Sequence, residues 1–242
     1  MTRGLFDLPA PLLQWIDDRL TLFIPVPVTV AIWAVLGAIV CLELYRVVSP
    51  QERISRLKQE ASAAQRRLSA YDGELEGAWP LMKKTLGLSL RRVGVVIPAT
   101  LAAAFPVLVL LVWLSNSYGH HFPAADEEVV VDTSHPLQAR WIAAEDNAPP
   151  RVQAMQPDGR VALDVPMTAP IPVIHKRVWW NWLIGNPLGY LPADSPVDEI
   201  RAAMPRREIL TAGPGWLRGW EAVFLPVLFI VALGYKSARR ID

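Results

Sequence analysis

One charged stretch decides the fold: residues 49–92 read SPQERISRLKQEASAAQRRLSAYDGELEGAWPLMKKTLGLSLRR and lie between two apolar segments. Within it, apolar or small residues recur at alternating intervals of three and four, which places them along one face of a helix. They are Ile54, Leu57, Ala61, Ala64, Leu68, Tyr71 and Leu75. Charged residues, many of them basic, fill the other faces. The pattern predicts a helix with a single apolar seam.

Local signals predict where this helix begins and where the chain turns back. Ser49 and Glu52 have the spacing of a capping box, in which each side chain satisfies a backbone N–H of the other residue. Asp72-Gly73 predicts a break. A second apolar series at helical spacing then leads back, and we interpret Pro80 as its first-turn residue after a break at residues 77–79. The returning series is Leu75, Trp79, Met82 and Leu86.

The two arms are similar in length. Roughly 22 residues out and 18 back, at about 1.5 Å each, give two rods of about 30 Å. We therefore predict an antiparallel coiled-coil hairpin over residues 49–92. The alternative is a solvated helical linker whose seam arises by chance.

Composition indicates a membrane protein. The chain has 242 residues, of which 52% are hydrophobic, and a mean hydropathy of +0.25. The net charge of +1 argues against a nucleic-acid partner, and Cys41, as the only cysteine, cannot form an internal disulfide.

Three apolar segments are predicted to cross a bilayer core of about 30 Å. They are residues 22–48, 93–116 and 219–236. The third is short for this thickness, so it requires a thinned membrane or shielding by the other helices, and the alternative is a re-entrant segment. Residues 1–21 are predicted to form an amphipathic segment in the membrane interface, because a first-turn Pro11 precedes mixed apolar and charged residues. Residues 237–242 form a short tail.

The distribution of basic residues predicts the orientation. The hairpin is rich in Lys and Arg, whereas residues 115–138 contain neither. The positive-inside rule then places the hairpin and the C-terminus in the cytosol and the N-terminus outside. We expect the membrane to be a bacterial inner membrane. Four arginines precede the last span on the side predicted to be outside, which argues against this orientation. They are Arg201, Arg206, Arg207 and Arg218. The translocation of long loops is, however, insensitive to such charges.

Residues 117–218 are predicted to be a small extracytoplasmic β-rich domain, a sandwich or a meander. The expected strands are residues 128–132, 137–143, 151–156, 160–165 and 171–178. Pro157-Asp158-Gly159 predicts a turn, and Ser195 is expected to cap a short helix through Ala203. An aromatic cluster favours an interfacial belt or a packing surface. Its members are Trp179, Trp180, Trp182 and Tyr190.

The residues predict no enzyme and no cofactor. No nucleophile-and-base arrangement, phosphate loop or zinc spacing occurs. His120 and His121 stand near Asp126 and Glu127, but adjacent residues of an extended chain point in opposite directions and no third ligand has a fixed spacing, so no metal site is predicted.

The order of elements resembles the YidC/Oxa-type insertase superfamily. The resemblance is to its three-span branch, the archaeal YidC-like proteins and the insertase-type subunits of the endoplasmic reticulum membrane complex. It rests on CLELYRVVSPQER, residues 41–53, leading into the hairpin, and on LMKKT, residues 81–85, leading into a proline-containing span. It covers residues 20–116 and the last span.

The resemblance implies a membrane, mainly α fold and an insertase or chaperone function without catalysis. Three spans would enclose a hydrophilic groove that attracts the polar flank of a client helix. Glu43, Arg46, Arg91, Arg92 and Thr100 are the implied groove residues. The implied partners are the bilayer, nascent membrane proteins, and the ribosome or subunits of a larger complex.

Two alternatives stay open. The chain could be an accessory or scaffold subunit of a larger membrane complex, docking through the hairpin and the outer domain, in which case a packed interior and an exposed apolar patch are expected. It could also be an outer-face binding protein, which requires a pocket with convergent polar groups.

Overall fold

The computed structural model describes residues 4–124, 126–134, 137–145 and 148–239. A short 3-10 turn at Leu5–Asp7 precedes the α-helices. These are α1 Ala10–Thr21, α2 Val26–Val48, α3 Gln51–Ser69, α4 Leu75–Tyr118 and α5 Glu221–Arg239. The chain forms two compact units, which are described separately. The first comprises Met1–Ile32 and Leu108–Leu225, the second Trp33–Val107 and Pro226–Asp242.

The three predicted apolar spans are confirmed as helices that are long and apolar enough to cross a membrane. They are α2, α4 and α5, with mean hydropathies of 2.1, 2.6 and 1.6 over their most apolar windows. At 44 residues, α4 is about 66 Å long, roughly twice the thickness of a bilayer core. α4 is therefore much longer than a single crossing of a bilayer core requires.

The predicted break before Pro80 is wrong. Pro80 lies inside α4, and the N–H groups of Gly77 and Ala78 already donate to the carbonyl of Glu74 at 3.1 and 3.2 Å. A proline deprives a helix of one hydrogen bond and strains the preceding turn, which a long helix can accommodate. The returning arm of the hairpin and the second span are consequently one continuous helix.

The predicted capping box at the start of α3 is also wrong. Pro50 holds the N-cap position and no side chain caps the helix, so Glu52 is one residue too early to complete the box. The Ser49 hydroxyl is buried and has no hydrogen-bond partner in the described chain.

The helix break near Asp72-Gly73 is confirmed, since α3 ends at Ser69 and α4 begins at Leu75. On α3, Ile54, Leu57 and Ala64 are buried, whereas Tyr71, beyond the helix, is exposed. The seam thus has a buried centre, and the pairing of the two arms as a coiled coil stays a prediction.

The β-rich part of the first unit consists of two three-stranded antiparallel sheets. One sheet has the order β2-β3-β4, a meander, and the other has the order β1-β6-β5. The strands are β1 Val131–Thr133, β2 Gln138–Ile142, β3 Arg151–Met155, β4 Val161–Pro166, β5 Val173–His175 and β6 Glu199–Ala202. The predicted turn between β3 and β4 is confirmed, because Gly159 has a φ of 83°, which glycine adopts without strain.

The helix predicted after Ser195 is wrong, because the segment forms strand β6. Ile200 pairs with Thr133 of β1 and with Ile174 of β5, while Ile200 and Ala202 are buried and Arg201 between them is exposed. This alternation is the two-residue period of a strand. The Ser195 hydroxyl instead accepts from the N–H of Val197 at 3.4 Å.

Both sheets contribute to one hydrophobic core. Val152 of β3, Ile174 of β5 and Ile200 of β6 are at most 2% exposed and belong to the same cluster, together with Met167 and Val197 from connecting segments. The sheets therefore form a small sandwich around shared apolar side chains.

We predict that Ile200→Ala destabilises the sandwich by about 2–5 kcal/mol, because the truncation leaves a cavity in the core that the two sheets share. Hydrogen exchange of the β3 and β6 amides measures this free energy. The matched control, Val161→Ala at a position 52% exposed, is expected to stay within about 0.5 kcal/mol. Equal effects of the two variants would contradict a core centred on Ile200.

Candidate functional site

A cluster of polar side chains lies where α2 and α5 end. Glu43 is its centre: Oε1 accepts a hydrogen bond from the Tyr235 hydroxyl at 2.5 Å, and Arg239 Nε lies 3.7 Å from the same oxygen. Arg46 Nη1 lies 3.5 Å from the other oxygen. The Glu43 side chain is 35% exposed, so one partly accessible carboxylate contacts two guanidinium groups and a phenol.

Helical spacing builds this cluster. Glu43 and Arg46 are three residues apart on α2, and Tyr235 and Arg239 are four residues apart on α5, so each pair shares a helix face. Arg239 Nε also donates to the Tyr235 oxygen at 3.3 Å, and its guanidinium lies 5.5 Å from the ring centre. Both arginines stand in the last turn of a helix, where the helix dipole favours cations. The C-terminal ends of α2 and α5 are therefore side by side.

The structure brings together only part of the predicted site. Glu43 and Arg46 are in contact, whereas Arg91, Arg92 and Thr100 are exposed on α4. The Thr100 hydroxyl donates to the Val96 carbonyl of its own helix at 3.0 Å. Within the described chain, no hydrogen bond or ion pair joins these three residues to Glu43.

Sequence reasoning missed Tyr235 and Arg239 as members of the cluster. The predicted orientation already suggested such a contact, because it places the C-terminal ends of the first and third spans on the same side of the membrane. Two helix ends on one side, one with a carboxylate and one with a cation, are candidates for contact. The side-chain partners themselves depend on which faces of α2 and α5 meet.

The first unit contains a separate cavity of about 430 Å³, lined by Asp7, Gln14, Asn116 and Ser117 among others. Much of its polar lining is already bonded within the protein. Ser117 Oγ donates to Gln14 Oε1 at 3.1 Å, and Asp7 Oδ2 accepts from the N–H groups of Gly4 and Gly185. These lining side chains therefore mainly connect α1 and the segment before it to neighbouring parts of the first unit, rather than offering polar groups to a ligand.

His120 lies in a charged region after α4 rather than in a metal site. Burial lowers the pKa of His120, Arg206 lowers it further, and Glu221 opposes both effects. In the described residues, no group of three or more His, Cys, Asp or Glu side chains is arranged to hold a metal. Asp126 and Glu127 stay outside any such group, and His135 lies outside the described residues.

The arginines that oppose the predicted orientation have local structural contacts. The Arg207 guanidinium lies 4.9 Å from the centre of the Tyr118 ring and donates to the Ser117 carbonyl at 3.2 Å. Arg218 pairs with Glu208 at 3.0 Å, and Arg201 donates to Glu199. Arg201, Arg207 and Arg218 thus each have a partner within the first unit.

Comparison with protein families, curated proteins and solved structures finds no match for this chain. The functional inference therefore rests on the geometry of the described residues.

We predict that Tyr235→Phe and Glu43→Gln each loosen the end of α5, because the first removes the hydrogen bond between α2 and α5 and the second removes the charge that strengthens it. Hydrogen exchange of the last α5 turn in proteoliposomes should accelerate in both variants, and more in Tyr235→Phe. The double variant should add little to Tyr235→Phe, since both changes act on the same contact. The matched controls are Tyr45→Phe on α2 and Glu60→Gln on α3, and acceleration in these as well would contradict a specific contact.

Proposed function

We propose that the protein assists the insertion of membrane-protein helices, using a hydrophilic groove beside the ends of α2 and α5. The observation that carries this proposal is the partly exposed Glu43 carboxylate held between Arg46 and Arg239. A client helix carries polar residues at its ends. The charged cluster near the ends of α2 and α5 would bind these polar residues before the client helix enters the lipid.

The energetic argument concerns the client. A charged residue at the centre of a bilayer costs about 2.5–3.5 kcal/mol on insertion scales, and a hydrated path removes most of that cost. The exposure of α5 is compatible with such a path, since only 6% of its apolar stretch is buried. An unburied span has surface for lipid or for a client helix.

We further propose that the site faces the cytosol of a bacterial cell, with the protein in the inner membrane, the N-terminus outside and the C-terminus inside. The basic residues of α3 and of the first part of α4 support this orientation. In this arrangement the helices of the charged stretch would contact a nascent chain, the ribosome or a targeting factor. The proposed action is non-catalytic and uses no cofactor.

Site-specific crosslinking tests the insertase proposal. Photoreactive residues at Val47, which is 79% exposed one turn after Glu43, and at Thr100 should crosslink to several different nascent membrane proteins. The same probe at Ile230, exposed on a different face of α5 from Tyr235, is the control and should react mainly with lipid. Glu43→Gln should reduce the client crosslinks severalfold, and Glu60→Gln should not. Unchanged crosslinking in Glu43→Gln would refute the role of the carboxylate.

A second candidate function is that of an accessory subunit in a membrane complex. The observation that favours it is an exposed apolar stripe along the first part of α4, where Leu75, Trp79, Leu86 and Leu90 are 55–82% exposed. A helical partner would cover such a stripe. In the crosslinking experiment, this function predicts one recurrent partner on α4 and no dependence on Glu43.

A further inference from the structure

Helix α1 exposes its apolar side. Leu8, just before the helix, and Leu12, Trp15 and Leu22 follow one another at helical intervals and are 60–68% exposed. Phe23, next in the chain, is 87% exposed. We refer to these five residues as the α1 stripe.

The side of α1 that faces the protein carries Asp17 together with Leu13, Ile16 and Leu20, which are half-buried. Asp17 is 3% exposed and accepts a hydrogen bond from the hydroxyl of Tyr118, the last residue of α4. Gln14 accepts from Ser117 at 3.1 Å. The protein therefore covers one side of α1, and the exposed α1 stripe on the other side calls for an apolar neighbour outside the protein.

A second exposed apolar surface lies in the loop between β5 and β6. Trp179 and Trp182 are 81% and 57% exposed, although the 3-10 turn that carries them is firmly held. Buried Asn181 accepts from the N–H of Val178 at 2.7 Å and donates to the Ile184 carbonyl at 3.1 Å. The two tryptophans are thus presented on a fixed loop, which we refer to as the tryptophan loop.

Asp7 joins the N-terminal segment to this loop. Its Oδ2 accepts from the N–H of Gly4 at 3.0 Å and from the N–H of Gly185 at 2.5 Å. The Phe6 N–H donates to the Leu183 carbonyl at 2.9 Å. The segment before the α1 stripe and the end of the tryptophan loop are therefore held together by a buried carboxylate.

We propose that the α1 stripe and the tryptophan loop form one surface that inserts into the lipid headgroup region, with Asp7 as its positioning residue. The membrane is the expected occupant because only residues 22–25 separate α1 from the span α2, and the Tyr118 contact ties α1 to the end of the span α4. The boundary of the bilayer must run close to both points. Tryptophan favours this region, and the Arg19 guanidinium, 6.0 Å from the centre of the Trp15 ring, can reach headgroup phosphates.

Spin-label accessibility tests this proposal. In a Cys41→Ser background, a nitroxide is placed at position 12, 179 or 161, and the full chain is reconstituted in vesicles of phosphatidylethanolamine and phosphatidylglycerol. The labels at 12 and 179 should collide with oxygen, relative to a water-soluble nickel complex, severalfold more than the label at 161. Val161 is the matched control because it is also apolar and 52% exposed, but lies in β4, outside the proposed surface.

Asp7→Ala then tests the positioning role. The label at 179 should move towards the value of the label at 161, while the label at 12 should keep its value, because Asp17 and Tyr118 hold α1 independently. Labels at 12 and 179 that match the one at 161 in the starting protein would overturn the membrane contact. Dipolar broadening between labels of two protein copies would overturn it in favour of self-association.

Discussion

The structure depends on one constraint: a carboxylate at the edge of a membrane span must find polar partners within the protein. Two hydrogen bonds between a tyrosine and a carboxylate meet this requirement, one in each unit. Tyr118 at the end of α4 donates to Asp17, and Tyr235 near the end of α5 donates to Glu43. Each bond satisfies an acid that lipid would not accept and at the same time joins two helices.

The two acids have different surroundings and therefore different uses. Asp17 is almost completely buried, and its bond fixes α1 to the end of α4 with the α1 stripe exposed. Glu43 remains partly exposed beside two arginines, which leaves a charged group accessible at the end of two spans. The first contact supports an architectural role, while the second supports interaction with another polypeptide.

The elements that were predicted correctly have signals that are independent of distant residues. The three spans follow from length and hydropathy, and the turn at Gly159 follows from the backbone freedom of glycine. The wrong predictions concern segments where the local sequence pattern favours one structure and the surrounding structure favours another. The four residues of β6 have too little sequence to specify a strand, and their pairing with β1 and β5 decides the outcome. At Pro80, the continuity of a long helix prevails over the breaking tendency of one residue.

The sequence by itself determined that the chain has three apolar helices, a charged segment between the first two and an antiparallel β-rich region before the third, because these features follow from composition and periodicity. The resemblance to insertases also implied Glu43 and Arg46 as site residues, and these two are in contact. Only the tertiary structure decided that Tyr235 and Arg239 complete the cluster, that Asp17 fixes α1 with one apolar side exposed and that Asp7 holds the tryptophan loop. Such contacts join residues far apart in the chain, and their geometry depends on helix rotation and loop closure, which leave no local periodic signal.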